Sequence, residues 1–335
     1  MDNCSEYSRL VSFVLPHHGR EPLLLQTIES IFQQDIDVQL VEVIVVSKAV
    51  FADTDPLLLK LAEFGVKDRV RFVTIPQDKT ISYGRNHGAM LAQGEYLAFV
   101  DSDVRLAENW VTTMVRLLVE NPKSMLVSAV QVPDDDRNTL DVIKSSMSEA
   151  NLGEVLALPG NALFISDSAF NKSEKFPENL ETCEDWVFTN SLTRLGTLTL
   201  TNESSFVHLG EDKSFSAMFF KEIWRGKSNL GSLSGRKIDL AELPSLFVPV
   251  VVLLSLVVAL LACLFGFKLL GLAAAVFTFA APFLYTLRLK ARSSVDINVF
   301  LLIFFYLVYF IARALGMIKG FIEGKPGSTR ETFQS

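Results

Sequence analysis

Asp101 and Asp103 stand two residues apart, directly after the apolar run Tyr96–Val100. Two carboxylates just past a buried strand are expensive unless they meet a cation. Hard oxygen donors of this kind select Mg²⁺ or Mn²⁺. A metal held there would neutralise a diphosphate leaving group. Asp-X-Asp also recurs in solvated loops, and the strand before it is what gives this copy weight. Other side chains with chemistry in reach are His17 and His18, the acid pair Glu184-Asp185, and His208. Each has a plainer alternative. The two histidines suit a polar turn, the acid pair suits a helix N-terminal cap, and a lone histidine is often structural.

These residues need elements to hold them. Val11–Leu15 is a short apolar strand, and Pro16-His17-His18-Gly19-Arg20 is the loop that follows. Pro22 sits where a first helical turn tolerates it. Leu24, Ile28, Ile31 and Phe32 recur at helical spacing. Val41–Val46 and Val70–Ile75 read as strands, Ser82–Leu91 as a helix, and Tyr96–Val100 as a fourth strand. Trp110, Met114, Leu117 and Leu118 read as the core face of another helix. Ser204–Val207 is strand-like and leads to His208; Trp186–Leu195 is a helix opened by Asp185. Strands alternating with helices predict a parallel α/β sheet whose ligands bind beyond the carboxyl ends of the strands.

The chain has 335 residues, of which 49% are hydrophobic and 21% charged, with a mean hydropathy of +0.31. That composition excludes a mostly disordered chain. Residues 1–242 carry 23 basic and 35 acidic groups, a net of −12, which argues against nucleic acid as a partner. Cys4, Cys183 and Cys263 form neither a disulfide framework nor a zinc spacing. Met1–Arg9 is polar and Val11–Leu15 is too short for a signal-peptide core, so no secretory signal is expected.

Residues 243–335 are different. Positions 243–267 and 269–287 carry no charge, and 297–318 is interrupted only by Arg313. Runs of 18 or more apolar residues are the expected mark of membrane-spanning helices. Phe265–Lys268 predicts a tight hairpin. Arg225, Lys227, Arg236 and Lys237 precede the first run, and Arg288, Lys290 and Arg292 follow the second. Both sets are expected on the cytoplasmic side. The third run is read as a span, with a tilted interfacial helix as the alternative, and Arg313 is expected to snorkel to the interface. In Ser214–Leu230, Phe215, Met218, Phe219 and Ile223 fall at helical spacing, which predicts a helix lying on the membrane surface, or else an ordinary domain helix.

The order of motifs carries a resemblance. Strand, Pro-loop and helix (Val11–Gln34) precede the strand Val41–Val46. Then come Gly84-Arg85-Asn86-His87-Gly88, Gly94-Glu95-Tyr96, Asp101-Ser102-Asp103, Pro159-Gly160-Asn161-Ala162-Leu163-Phe164 and Cys183-Glu184-Asp185-Trp186. Over roughly residues 9–210 this resembles a family 2 glycosyltransferase. The resemblance implies a GT-A fold: an α/β, Rossmann-like, mostly parallel sheet in a catalytic domain over 1–212. An interfacial helix and linker (213–242), a helical membrane domain (243–320, with helices at about 243–265, 269–287 and 297–318) and a polar tail (321–335) would follow. Asp103 would be the main metal ligand, Asp101 would contact ribose or metal, and His208 would complete the metal site. Pro16, His18, Arg20, Ser47, Arg85 and Arg225 would face the nucleotide-sugar. Asp185 would be the catalytic base, with Glu184, Trp186 and Asn161 on the acceptor side.

The same resemblance implies inverting displacement at the anomeric carbon, with Mg²⁺ or Mn²⁺ on the leaving diphosphate. The expected partners are a nucleotide-sugar donor, a lipid-linked acceptor and the membrane, without nucleic acid. The expected location is the inner (cytoplasmic) membrane, multi-pass, with the catalytic domain in the cytoplasm. Two departures refine this. Where the family has acids after the second strand, this chain has Ser47 and Lys48, and Lys cannot accept a hydrogen bond from a uracil N–H. The Gln-X-X-Arg-Trp motif of processive synthases is missing, and Trp224-Arg225 alone stands in that region. A single-addition enzyme acting on a lipid-linked glycan hydroxyl is expected. A polyprenyl-phosphate sugar synthase and a non-catalytic membrane scaffold are the alternatives.

Overall fold

The computed structural model describes residues 10–52, 54–227, 229 and 243–323. They form two compact units, of which the first comprises Met1–Asp136, Asn151–Glu178 and Glu184–Glu211. In chain order its first elements are β1 (Val11–His17), α1 (Glu21–Phe32), β2 (Val41–Ser47), α2 (Pro56–Glu63), β3 (Val70–Thr74), α3 (Ile81–Leu91) and β4 (Tyr96–Val100). Next are β5 (Val104–Leu106), α4 (Trp110–Glu120) and β6 (Ser124–Val132). The helix α5 (Thr139–Glu149) belongs to the other unit. Then follow β7 (Gly153–Val155), β8 (Ala162–Ser166), α6 (Asp167–Lys172), α7 (Glu184–Leu192) and β9 (Thr197–His208).

The strands form one sheet in the order β3-β2-β1-β4-β8-β6-β9-β5, with β7 paired to β9. β3, β2, β1 and β4 run parallel, as the alternation of strands and helices predicts. Beyond β4 the sheet becomes mixed: β8 is antiparallel to β4 and β6, and β5 is antiparallel to β9. β6 and β9 run parallel, so this α/β sheet confirms the fold class and adds a mixed half that local patterning does not reveal. β1 has β2 on one side and β4 on the other, so the crossover direction reverses between β1 and β4. Ligands of open α/β sheets bind at the strand ends beside such a reversal.

Alternate residues of the central strands feed two cores. Phe13 packs on Trp110, and Trp110 on Phe164, with ring centroids 6.3 and 5.6 Å apart, on the face covered by α1, α2 and α4. Phe99 meets Phe170, Phe176 and Phe188 on the opposite face. Each such fully buried ring contributes roughly 1.5–3 kcal/mol by leaving water. The helical face of Trp110 and Met114 is core, as read from the sequence.

The second unit contains α5, α8 (Phe215–Gly226), α9 (Leu243–Leu264), α10 (Lys268–Arg292) and α11 (Val299–Ile322). The last three are long and apolar enough to cross a membrane. α9 and α10 form the expected hairpin, turned at Gly266 with a positive φ of 79°. The surface-helix segment is α8, whose buried residues are Met218, Glu222 and Gly226. Glu222 lies on the buried stripe because it meets cations: Arg313 Nε at 2.6 Å, Arg225 Nη1 at 2.8 Å and Lys144 Nζ at 3.6 Å. Burial alone would push the Glu222 carboxyl up; these three cations outweigh it and hold it at about 2. Arg313 is thus paired inside the protein, where a snorkelling side chain was expected. The linker beyond Lys227, apart from Asn229, and most of the expected polar tail lie outside the described residues.

Three such helices predict that the full chain resists carbonate extraction from membranes, whereas a chain ending at Leu240 partitions mainly to the soluble fraction. Release of full-length protein by carbonate would refute the spanning assignment.

Candidate active site

The carboxyl ends of β1 and β4 lie side by side and supply the first residues. β1 ends in Pro16 and His17, both buried, and β4 is followed by Asp101-Ser102-Asp103. His17 Nδ1 and Ser102 Oγ are 3.3 Å apart, a link across the reversal point. Burial pushes the His17 pKa down, so its ring is neutral at pH 7. His18 is exposed at the crevice edge. Arg20 takes a left-handed backbone, φ 63°, and its Nη1 donates to Asp103 Oδ2 at 3.0 Å.

Sheet register delivers His208. β5 and β9 pair with Val104 opposite His208, which sets His208 Nε2 3.5 Å from Asp103 Oδ1. Its Nδ1 lies 3.1 Å from Glu211 Oε2. A histidine oriented by a carboxylate behind it, with the other nitrogen aimed at an acid, is the arrangement of metal-ligating histidines. Burial disfavours the charged ring, but the hydrogen bonds to Asp103 and Glu211 outweigh it and raise the His208 pKa to about 9. A Cβ at Gly210 would stand 2.0 Å from Asp103 Oδ2, so only glycine lets the backbone pass so close to this carboxylate. Among the described residues no three His, Cys, Asp or Glu side chains already form a metal cluster. Asp103 and His208 converge, and Asp101 is turned toward Arg85. The donor set of carboxylate and imidazole, backed by Glu211 and cradled by Gly210, fits a divalent cation.

The acid pair sits on the neighbouring strand end. β8 pairs with β4 so that Ala162 faces Val100, and Asp101 N donates to Asn161 O at 2.9 Å. That register draws the Pro159-Gly160-Asn161 loop beside the Asp101–Asp103 turn. Asp185, in the first turn of α7, accepts from Gly160 N at 2.9 Å through Oδ2 and from Trp186 N at 2.7 Å through Oδ1. Each oxygen keeps a second lone pair. Trp186 and Asn161 are half-buried next to it.

Four further residues named by the resemblance, Arg85, Glu184, Ser47 and Arg225, are engaged by protein groups. Arg85 is 1% exposed and donates to Glu184 Oε1 and Asp101 Oδ1, both at 2.8 Å, and to Gly160 O at 3.3 Å. Both terminal nitrogens donate to protein acceptors. Glu184 is likewise buried and engaged by Arg85. Burial and the adjacent Asp185 charge push its pKa up against the pull of Arg85. Burial also raises that of Asp101. Ser47 is buried at the end of β2, and its Oγ accepts from Ala49 N at 3.0 Å. Lys48 and Gln77 exchange bonds, Lys48 Nζ to Gln77 O at 2.8 Å and Gln77 Nε2 to Lys48 O at 2.7 Å. Arg225 belongs to the second unit and pairs there with Glu222. Glu211, Gly210 and the His17–Ser102 link were not read from the sequence; an acid three residues after His208 was the one local signal.

Residues 12–176 match the model of Glycosyl transferase family 2. Among curated proteins, Glucosyl-dolichyl phosphate glucuronosyltransferase of Haloferax volcanii is 33% identical over 72 residues, 22% of this chain and 23% of that protein. Polypeptide N-acetylgalactosaminyltransferase 5 of Caenorhabditis elegans is 27% identical over 139 residues, 40% of this chain and 21% of that protein. The chain therefore spans about a quarter or less of the length of these relatives. Among solved structures, the mannosyltransferase PcManGT from Pyrobaculum calidifontis, in complex with GDP-Man and Mn²⁺, superposes with a TM-score of 0.62 at 15% identity. That match covers 96% of this chain and 89% of the other. At that identity the likeness establishes the fold.

Proposed function

The chain carries a family 2 glycosyltransferase domain over residues 12–176, and from that premise we propose a membrane-anchored, metal-dependent, inverting enzyme. It moves one sugar from a nucleotide-sugar to a hydroxyl of a lipid-linked glycan in cell-surface polysaccharide or glycolipid assembly. The observation that carries this reading is the β4–β8 register, which draws the Asp101–Asp103 turn and the loop holding Asp185 to one sheet end. Similar proteins support the classes of ligand: GDP-Man and Mn²⁺ for the structural neighbour, a sugar-bearing dolichyl phosphate for one relative. A base other than uracil agrees with Ser47 and Lys48 where acids were expected.

Asp103 and His208 would hold Mg²⁺ or Mn²⁺, with Asp101 on the ribose or metal beside them, and the metal would supply charge neutralisation for the departing diphosphate. Pro16, His18 and Arg20 border the nucleotide's end of the crevice. Asp185, held by two backbone N–H groups, takes the proton of the acceptor hydroxyl as that oxygen attacks the anomeric carbon from the face opposite the diphosphate. Trp186 and Asn161 flank the acceptor. The helices α9, α10 and α11 keep the enzyme at the bilayer that carries the acceptor, with the catalytic unit on the cytoplasmic side.

Screening nucleotide-sugars for slow hydrolysis with and without Mn²⁺ tests the reading; no Mn²⁺-stimulated turnover of any donor would refute it. The metal site also predicts a pH dependence. The metal needs an unprotonated Nε2, yet His208 stays protonated up to about 9 instead of its ordinary 6.5. Mn²⁺ affinity should therefore rise roughly tenfold per pH unit from pH 7 and level off near 9, with proton release. His208→Ala should flatten that profile. An equally steep profile in the variant would remove His208 from the metal site.

A further inference from the structure

Arg85 is a charged side chain sealed in the catalytic unit, and what it joins defines what it does. It reaches one residue 16 positions away at the end of β4, Asp101, and one 99 positions away in the first turn of α7, Glu184. Its guanidinium lies over the Phe176 ring, 5.2 Å from the centroid. A planar fork can serve two carboxylates at once, whereas an ammonium is a point charge. Gly160 adds a second link. Its carbonyl accepts from Arg85 Nη2, and its N–H donates to Asp185 Oδ2 at 2.9 Å. A Cβ at Gly160 would stand 3.0 Å from Arg85 Nη2 and 3.1 Å from Asp185 Cβ, so this peptide is wedged between the two.

We propose that Arg85 is a positioning residue that fastens the donor-side carboxylate Asp101 and the base-bearing turn Glu184-Asp185 into one frame. Loading of the metal at the end of β4 is thereby coupled to the aim of the base. This rests on the metal and base roles proposed above. A nucleotide contact would require Arg85 donors facing the crevice, and the two terminal nitrogens are bonded inward.

A double-mutant cycle on the full chain in detergent tests the coupling. Asp101→Asn and Glu184→Gln conserve size and keep the guanidinium in place. Mn²⁺ affinity, followed by electron paramagnetic resonance with Mn²⁺ alone and with added GDP, is measured for the wild type, both single variants and the double. Glu184→Gln supplies no metal ligand, yet it should change Mn²⁺ affinity by about three- to tenfold, because Arg85 then leans on Asp101 alone. The two changes should be non-additive by at least about threefold, as expected for residues sharing one partner. In an Arg85→Lys background that coupling should vanish; if this variant does not fold, the four-protein cycle still decides. An additive cycle with normal wild-type binding overturns this proposal and leaves the metal site standing. A wild type that binds no Mn²⁺ overturns both.

Discussion

Asp103→Ala is expected to weaken Mn²⁺ and Mn²⁺-dependent nucleotide binding more than ~100-fold, beyond the ~10–100-fold typical of groups that merely orient ligands. Asp103 is shared by Arg20 at 3.0 Å and His208 at 3.5 Å. Its removal takes the carboxylate from His208 Nε2, while Nδ1 keeps Glu211, and releases the Arg20 side chain toward solvent. The fold should survive. The Arg20 side chain is 62% exposed, and exposed pairs of this kind are worth about 0–1 kcal/mol. Alanine also takes atoms away from the tight passage beside Gly210 and adds none. His208 keeps Glu211, so β9 stays anchored. Calorimetry with Mn²⁺ and nucleotide, beside a circular dichroism spectrum, checks this. A folded variant that binds as the wild type does would move the metal elsewhere.

The first half of the catalytic unit is legible because its physics is local. Val43–Val46 and Tyr96–Val100 are buried on both faces, so continuous apolar runs mark them as parallel strands. Asp101 and Asp103 could be placed at a strand end for the same reason. The mixed half depends on pairings between distant segments. Nothing within a few residues of His208 shows that Val104 will face it, and nothing near Glu184 shows that Arg85 will claim it. The motif order suggested a ligand for each acid. It could not say which acids the protein would satisfy by itself.

Glu222 shows the same limit in the second unit. Helical spacing puts apolar residues toward the interior and treats a carboxylate as solvated. Met218, Glu222 and Gly226 nevertheless share the buried stripe of α8. A Cβ at Gly226 or Gly316 would fall within 2.7–2.2 Å of backbone across the α8–α11 contact, so the two helices approach closely there. Arg313 on the facing helix makes the shortest of the three cation contacts that let Glu222 be buried. Each member of the pair is a liability that the other resolves. Arg313 read alone had only the interface to turn to.

Asp185→Asn separates the two enzymatic readings and carries the largest expected effect on turnover. Asp185 is held through both oxygens by backbone N–H groups, and each oxygen retains a lone pair for a substrate proton. If the acceptor is a sugar hydroxyl, its proton must leave as the new bond forms. A positioned base is worth roughly 10²–10⁴-fold in such a step. Asparagine keeps the size and loses the basicity, so turnover should fall by that factor, ~3–5 kcal/mol at 1.36 kcal/mol per decade. Part of the loss has another source. The amide has one acceptor oxygen, so either Gly160 N or Trp186 N loses its partner, at about 1–3 kcal/mol of local stability. Donor affinity separates that strain from the chemistry, because the metal and nucleotide groups stand on β1, β4 and β9. It should change by less than about threefold while kcat collapses, the pattern of an interaction made in the transition state. A phosphate acceptor arrives already ionised and needs no base, so the same substitution would then cost little. The measurement is turnover of Asp185→Asn with lipid-linked glycan and with polyprenyl phosphate, beside donor affinity. Near wild-type turnover would defeat the hydroxyl mechanism and favour the polyprenyl-phosphate synthase. Loss of donor binding would assign Asp185 to the nucleotide side of the crevice.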